Sequence, residues 1–354
     1  MINLCSVTRF ADLCPLCGHK FYPSIKMGIG WVFLILLVLF AVNYIGLLNE
    51  RTFSQMPTRL DRAEAEAEGF ESQIAGATTE DAVTWLTNAE LYDSFYASVY
   101  DQLCKPYVRN QSEAALIIHE WTKRGEEKDT FRILDIGCGT GISVCSFAKM
   151  GVARAVGLDS SQPMLDWAKT KNMPSTTLDD QQKQSIEWRH GDTTDPSACS
   201  AAEFDHVSML YFTVYYLKNK EAVFRNIYLW TKPGGRLVVQ VVNKHKFDPM
   251  LESASPWLFF SLQKYADSRI TRSEVDFNKF KYTGDFLLED PTAEFRESFR
   301  FNDGRVRHQK HEFLMEDMTA IVGMAKVAGW EYIGNVDLTP ISFQYSYHLH
   351  FKRS

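Results

Sequence analysis

The segment Ile133-Leu-Asp-Ile-Gly-Cys-Gly-Thr-Gly-Ile-Ser-Val144 constrains this chain more than any other. A short apolar run, three glycines at alternate positions and a second apolar run read as a buried strand, a tight turn and the start of a helix. Glycine at such a turn lets the backbone reach positive φ and lets a ligand touch the main chain. Strand, glycine turn and helix in that order open the α/β sheets whose ligands lie at the carboxyl ends of the strands.

The following sequence repeats the alternation. Apolar runs at Arg132–Ile136, Ala155–Asp159, Ile186–His190, Phe204–Leu210 and Arg236–Val242 are separated by helical patterns at about 142–150, 161–171 and 219–231. Strands alternating with helices imply a parallel sheet covered on both faces. Lys232-Pro-Gly-Gly235 is expected to turn the chain into the fifth strand. Residues 247–314 break the pattern and read as an antiparallel meander inserted after strand five, with Phe295, Phe299 and Phe301 on one face by alternation. A helix at about 316–328 and two strands complete the domain, the last with Phe343, Tyr345, Tyr347, Leu349 and Phe351 on one side.

The ligand of the glycine turn is narrowed by what surrounds it. No GxxxxGK[ST] is present, which removes the triphosphate loop, and GxGxG falls one residue short of the dinucleotide fingerprint. Asp135 precedes the first glycine. Asp159 closes the second strand, where a carboxylate can accept from both hydroxyls of a ribose, and Asp192 ends the third, where one can accept from an adenine amino group.

ILDIGCGTG, VGLDSSQPMLDWA (156–168), RHGD (189–192), FDHVSMLYF (204–212) and KPGGRLVV (232–239), in this order, resemble the class I S-adenosylmethionine-dependent methyltransferases. The likeness is to the type 11 and type 25 domains in particular and covers about 88–354. It implies a Rossmann-like, seven-stranded, mostly parallel sheet and S-adenosyl-L-methionine as cofactor. It also implies that Gly137, Cys138, Gly139, Thr140 and Gly141 pass under the methionyl part, oriented by Asp135. Asp159 would bind the ribose, Ser160 would lie beside the adenine, and Asp192 with Thr193 would contact its edge. Leu210 would pack near the cofactor, and Tyr92 and Tyr100 would belong to a helix closing over the site, although packing on the domain surface explains those tyrosines equally well.

Transfer from a sulfonium needs positioning and desolvation, and a general base only if the attacking atom keeps its proton. No catalytic residue is therefore fixed. Tyr211, Tyr215, His245 and His311 are the candidates on the acceptor side, with Pro256–Phe260 as a possible apolar wall. The [DN]PP[YFW] segment of amide and adenine methylation and the Pro-Cys of cytosine C5 methylation are both missing. A net charge of −6 offers no basic field for nucleic acid. Arg296, Arg300, Arg305, Arg307 and Lys310 are interleaved with Glu294, Glu297 and Asp303, which predicts a mixed, solvated strand face.

Composition changes sharply near the N-terminus. Residues 27–49 carry no charge and as a helix would rise about 34 Å, enough to cross a bilayer core. The expected layout is an N-terminal segment 1–26, a transmembrane helix 27–49, a polar spacer 50–78 and a methyltransferase domain 79–354 with the insertion at 247–314. Basic residues tie across the span, so orientation is not readable from them. A cytosol-facing domain is expected because the methyl donor is made there. Cys14, Cys17 and His19 form half of a zinc site, short of the four ligands a structural site needs, so free or acylated thiols are expected instead. Two classes of function stand: a membrane-anchored enzyme methylating a small-molecule or lipid-like acceptor, and a non-catalytic interaction protein that keeps the fold. A protein methyltransferase is a third reading, and the oligomeric state is not legible.

Overall fold

Strand–helix alternation from Arg132 onward builds one sheet, and the chain before it supplies helices that lie against a second. The computed structural model describes residues 85–104, 106–123, 125–249 and 269–354, all within the compact unit Gly69–Ser354. The CxxC segment, the apolar run 27–49, the spacer and Pro256–Phe260 lie outside the described residues. Among the described residues no helix is long and apolar enough to cross a membrane.

Strand β1 (Trp85–Leu86) leads into helices α1 (Ser94–Cys104) and α2 (Pro106–Thr122). The alternating part is β2 (Arg132–Ile136), α3 (Ile142–Lys149), β3 (Arg154–Asp159), α4 (Gln162–Trp167), β4 (Ile186–His190), β5 (Phe204–Met209), α5 (Thr213–Tyr216), α6 (Lys220–Trp230) and β6 (Thr231–Val242). Its caps are local and legible: Ser161 Oγ accepts the Met164 N–H at 3.2 Å, and Asn219 Oδ1 accepts the Ala222 N–H at 3.1 Å. The meander is β7 (Arg272–Asp276), β8 (Phe280–Glu289), β9 (Thr292–Phe301) and β10 (Val306–Leu314), followed by α7 (Met318–Val327), β11 (Trp330–Asp337) and β12 (Ser346–Arg353).

The main sheet has seven strands in the order β11-β12-β6-β5-β2-β3-β4, with β12 antiparallel to both its neighbours and the rest parallel. The order reverses between β2 and β5, which is where such sheets open a crevice beyond the strand ends. The second sheet is β1-β10-β9-β8-β7. Phe286, Ala293 and Phe313 of the meander join the core under α5, α6 and α7, while Phe280, Tyr282, Phe299 and Phe301 pack on α1.

Three expectations need correction. The strand at 343–351 begins only at Ser346; Ser342 and Tyr345 have positive φ, so Phe343 and Tyr345 belong to a turn rather than to the strand face. The turn at 232–235 sits inside β6, because Thr231 pairs with Phe204 and Arg236 with His206, and the four residues between are extruded. The third correction concerns the solvated face. Arg307 and Glu297 are buried in the meander, at 0% and 1% exposure. Alternation along β10 turns Arg307, Gln309, His311 and Phe313 inward together.

Candidate active site

One wall of the site is made by the carboxyl ends of β2, β3 and β4. Gly137, Gly139 and Gly141 have φ of +64°, +53° and +77°, values that L side chains avoid. A Cβ at Gly137 would lie 2.6 Å from Thr213 Cγ2, and one at Gly141 2.3 Å from the Trp188 ring, so packing also demands glycine there. At Gly139 only Met164 Cε, at 3.6 Å, is near, which leaves the main chain bare toward the cavity.

Asp159 ties two of these loops together. Its carboxylate accepts the Gly139 N–H at 2.7 Å and the Ser161 N–H at 2.8 Å. Burial pushes its pKa up, and those N–H groups pull it back. Asp192 is exposed at the rim and accepts the Thr194 N–H at 2.8 Å. Asp135 sits behind the glycine turn, where it accepts the Ser208 hydroxyl at 2.6 Å. Burial raises its pKa to about 7, with Glu113 and Asp159 adding to the rise and the Ser208 bond opposing it.

These strand ends border a cavity of about 400 Å³, within the rough 300–1,000 Å³ typical of small-molecule sites. Tyr92, Tyr100, Gly137, Gly139, Asp159, Ser160, Asp192, Thr193, Tyr211 and His311, all singled out by sequence, line this one space. The others lie elsewhere. Leu210 is buried in the core beneath, Cys138 packs its sulfur toward Gly157, and Gly141 faces Trp188 and Ala168. Thr140 donates to Asp101 at 2.6 Å. His245 is exposed, 3.8 Å from Asp290. Tyr215 is buried with its hydroxyl accepting the Val242 N–H at 2.8 Å. Its neighbour Tyr216, one residue on and so turned about 100° around the short helix, reaches the cavity instead.

The opposite wall is aromatic and comes from Phe212, Phe247 and the meander residues Phe286, Phe295 and Phe313. Tyr211 is held there at φ +54°, a strained conformation for a bulky residue that costs on the order of 1–3 kcal/mol. Its N–H is taken by the Gln240 side chain, and the Arg109 guanidinium stacks 4.4 Å over its ring.

Within this wall lies a line of hydrogen bonds. Tyr92 and Tyr216 hydroxyls meet at 2.7 Å, Tyr216 Oη meets His311 Nδ1 at 2.5 Å, and His311 Nε2 meets Glu297 Oε2 at 2.6 Å. Glu297 also accepts from Tyr282 Oη at 2.7 Å and from Gln309 Nε2 at 2.6 Å. Burial alone would raise the pKa of Glu297, but His311 and these donors outweigh it and hold the carboxyl below its usual range. The sequence reading missed Glu297 and did not separate Tyr216 from Tyr215. The signal for Glu297 was present, since Phe295, Glu297 and Phe299 share one parity on β9. Gly284, opposite Glu297, leaves room for the Tyr282 hydroxyl, which a Cβ would approach to 2.7 Å.

Among the described residues no group of His, Cys, Asp and Glu could hold a metal ion; Cys14, Cys17 and His19 lie outside them.

Residues 134–239 match the family model of the methyltransferase domain. The chain is 27% identical over 165 residues to the cypemycin N-terminal methyltransferase of a Streptomyces species, covering 46% of this chain and 60% of the relative. It is 24% identical over 220 residues to phosphoethanolamine N-methyltransferase 1 of Arabidopsis thaliana, covering 60% of this chain and 40% of the relative. It thus spans six-tenths or less of the length of these curated relatives. Among solved structures, an S-adenosylmethionine-dependent methyltransferase from Clostridium acetobutylicum superposes with a TM-score of 0.54 at 18% identity, over 73% of this chain and 98% of that one. The CcbJ methyltransferase of Streptomyces caelestis gives 0.54 at 16% identity, over 75% and 99%. At these identities the structural likeness shows the fold.

Proposed function

The chain belongs by its matched domain and its fold to the class I S-adenosylmethionine-dependent methyltransferases, and from that premise we propose that it is an enzyme that methylates a small-molecule acceptor. One observation carries the reading: a single cavity joins the strand-end wall of Gly137, Gly139, Asp159 and Asp192 to the aromatic wall containing His311. The residues suit the cofactor chemically. Bare main chain at Gly139 admits close approach, and the Asp159 oxygens keep lone pairs for ribose hydroxyls. Ser160, Asp192 and Thr193 form the rim on the side assigned to adenine. Bound there, S-adenosylmethionine supplies an electrophilic methyl group on a sulfonium.

The acceptor then lies against Phe212, Phe286, Phe295 and Phe313, which exclude water and hold an apolar body, while polar atoms of Tyr92, Tyr216 and His311 orient its nucleophile. Of the relatives, one is named a phosphoethanolamine N-methyltransferase, one an N-terminal methyltransferase and a further one, from Xanthomonas axonopodis, a ubiquinone biosynthesis O-methyltransferase. Nitrogen and oxygen nucleophiles are accordingly the classes assigned here. We further propose that residues 27–49 anchor the enzyme in a membrane with the domain facing the cytosol. The supporting feature is the uncharged run itself, and tethering would favour a lipid-like acceptor by raising its effective concentration.

Calorimetric titration of the full chain with S-adenosylmethionine tests the cofactor site. Binding is expected, weakened at least about tenfold by Asp159→Ala, as for loss of a charge-assisted hydrogen bond. Absence of binding, or binding indifferent to that change, removes the enzyme reading. Labelled-methyl transfer onto fractionated lipids and metabolites identifies the acceptor. Protection of the domain from protease inside sealed vesicles would refute the cytosolic orientation.

A further inference from the structure

We propose that Tyr92, Tyr216, His311 and Glu297 form a one-way proton wire that takes the proton from the acceptor, so the acceptors of this enzyme carry an N–H or O–H at the reacting atom. The proposal rests on the methyl-transfer reading above and adds to it a proton path and a substrate class.

The direction follows from the partners, beginning at the buried end. Glu297 is held as a carboxylate by Tyr282 and Gln309, both donors toward it, at 2.7 Å and 2.6 Å. An oxygen that can only accept, 2.6 Å from His311 Nε2, requires the proton on Nε2. In the resting wire the ring is neutral, so its Nδ1 is bare and accepts the Tyr216 hydroxyl at 2.5 Å. With the Tyr216 proton committed to Nδ1, the 2.7 Å bond between the tyrosines must be donated by Tyr92. The Tyr92 oxygen is left with lone pairs on the cavity side, near the Asp159 that closes the strand-end wall. Every proton in the line points inward.

The tyrosines pass protons and do not store charge. Burial pushes the hydroxyls of Tyr92 and Tyr216 well above the ordinary tyrosine range, so neither rests as a phenolate. The charge that arises is an imidazolium beside the Glu297 carboxylate, a pair suited to a low-dielectric interior. The titratable groups facing His311 are Tyr92 from the bend before α1, Tyr96 from α1, Tyr216 from α5 and Glu297 from β9, with Tyr282 of β8 behind Glu297.

The step balances without a further reactant. The acceptor atom forms a bond to the methyl carbon as the carbon–sulfur bond breaks, and the electron pair of that bond stays on sulfur. The acceptor's proton moves to Tyr92 as the Tyr92 proton moves to Tyr216 and the Tyr216 proton to His311 Nδ1. The reset needs one proton returned to solvent.

Two measurements test it. In the full chain labelled with ¹⁵N-histidine, long-range ¹H–¹⁵N spectra near neutral pH are expected to show His311, assigned by its loss in His311→Gln, as the Nε2–H tautomer with Nδ1 bare. An Nδ1–H tautomer or a doubly protonated ring overturns the wire whether or not any acceptor is known. The second uses S-adenosylmethionine labelled in the methyl group and a fixed panel: 4-ethylphenol and phenethylamine against N,N-dimethylphenethylamine and methyl phenethyl sulfide. Label is expected only on the first two. Tyr216→Phe should slow transfer at least about tenfold at pH 7, with the deficit shrinking toward pH 9 as the acceptor loses its proton to solvent unaided, while cofactor affinity changes less than about twofold. Equal labelling of the last two, or an unchanged pH profile in Tyr216→Phe, overturns the proposal. If none of the four is labelled, the tautomer decides. Lost cofactor binding in the parent chain sinks the underlying reading instead.

Discussion

Arg307 and Arg296 occupy neighbouring strands of one sheet and look alike in sequence, yet replacing them should have very different consequences. Arg307 is fully buried and donates to Asp93 Oδ2 at 2.6 Å, Gln309 Oε1 at 2.9 Å and the Leu91 carbonyl at 3.1 Å, with its guanidinium 4.8 Å over Phe95. Arg307→Met keeps most of the volume and removes all of the donors. Losing one partner of a buried pair costs roughly 3–5 kcal/mol. The Asp93 side chain retains 25% exposure and can be rehydrated in part, which places the loss near the lower end, at about 3 kcal/mol. For a domain of this size that is a fall in Tm of about 6–10 °C. Arg296 is 48% exposed and, among the described residues, paired with Glu294, so Arg296→Met should cost under about 0.5 kcal/mol. Thermal unfolding of the full chain followed by tryptophan fluorescence compares the two directly. Small, equal shifts would refute the assignment of Arg307 as an internal strut holding β10 to the segment that carries Tyr92.

Gly141→Ala combines a strained φ of +77° with overlap on Trp188 and should cost about 2–4 kcal/mol in chemical denaturation, whereas Gly151→Ala, at φ +81° with nothing within 4 Å, should cost only about 1 kcal/mol. Equal losses would show that packing against Trp188 does not demand glycine at this position. His206 titrates near 3, lowered first by burial against Trp121 and then by Arg236, with Asp205 pulling the other way. The unfolded chain binds the His206 proton below about 6.5 and the native state does not, so stability falls with pH from there toward 3. His206→Phe should remove about 2 kcal/mol of the stability difference between pH 7 and pH 5, read from urea unfolding at both pH values, and an identical pH dependence in the variant would contradict the buried neutral imidazole.

The sequence by itself determined the sheet and the strand-end wall of the cavity, because both are built from short-range chemistry. Apolar runs and caps mark the strand and helix ends, positive φ marks the glycines, and Asp159 is the last residue of its strand while Asp192 lies two residues past its own, so position along the chain nearly equals position in space. The aromatic wall was decided by tertiary structure. Its parts come from the helices near Tyr92, from α5 and from three strands of an inserted sheet, with Tyr96 and His311 215 residues apart along the chain. Composition even pointed the wrong way there, since arginine and glutamate on a strand usually face water. Parity could have placed Glu297 and Arg307 inward, yet only the packing of α1 on the meander shows that this face is covered and that each buried charge has a partner. A buried carboxylate beside histidine is a property of two strands in register, with Glu297 opposite Gln309 and His311 opposite Phe295, and register is settled by the fold as a whole.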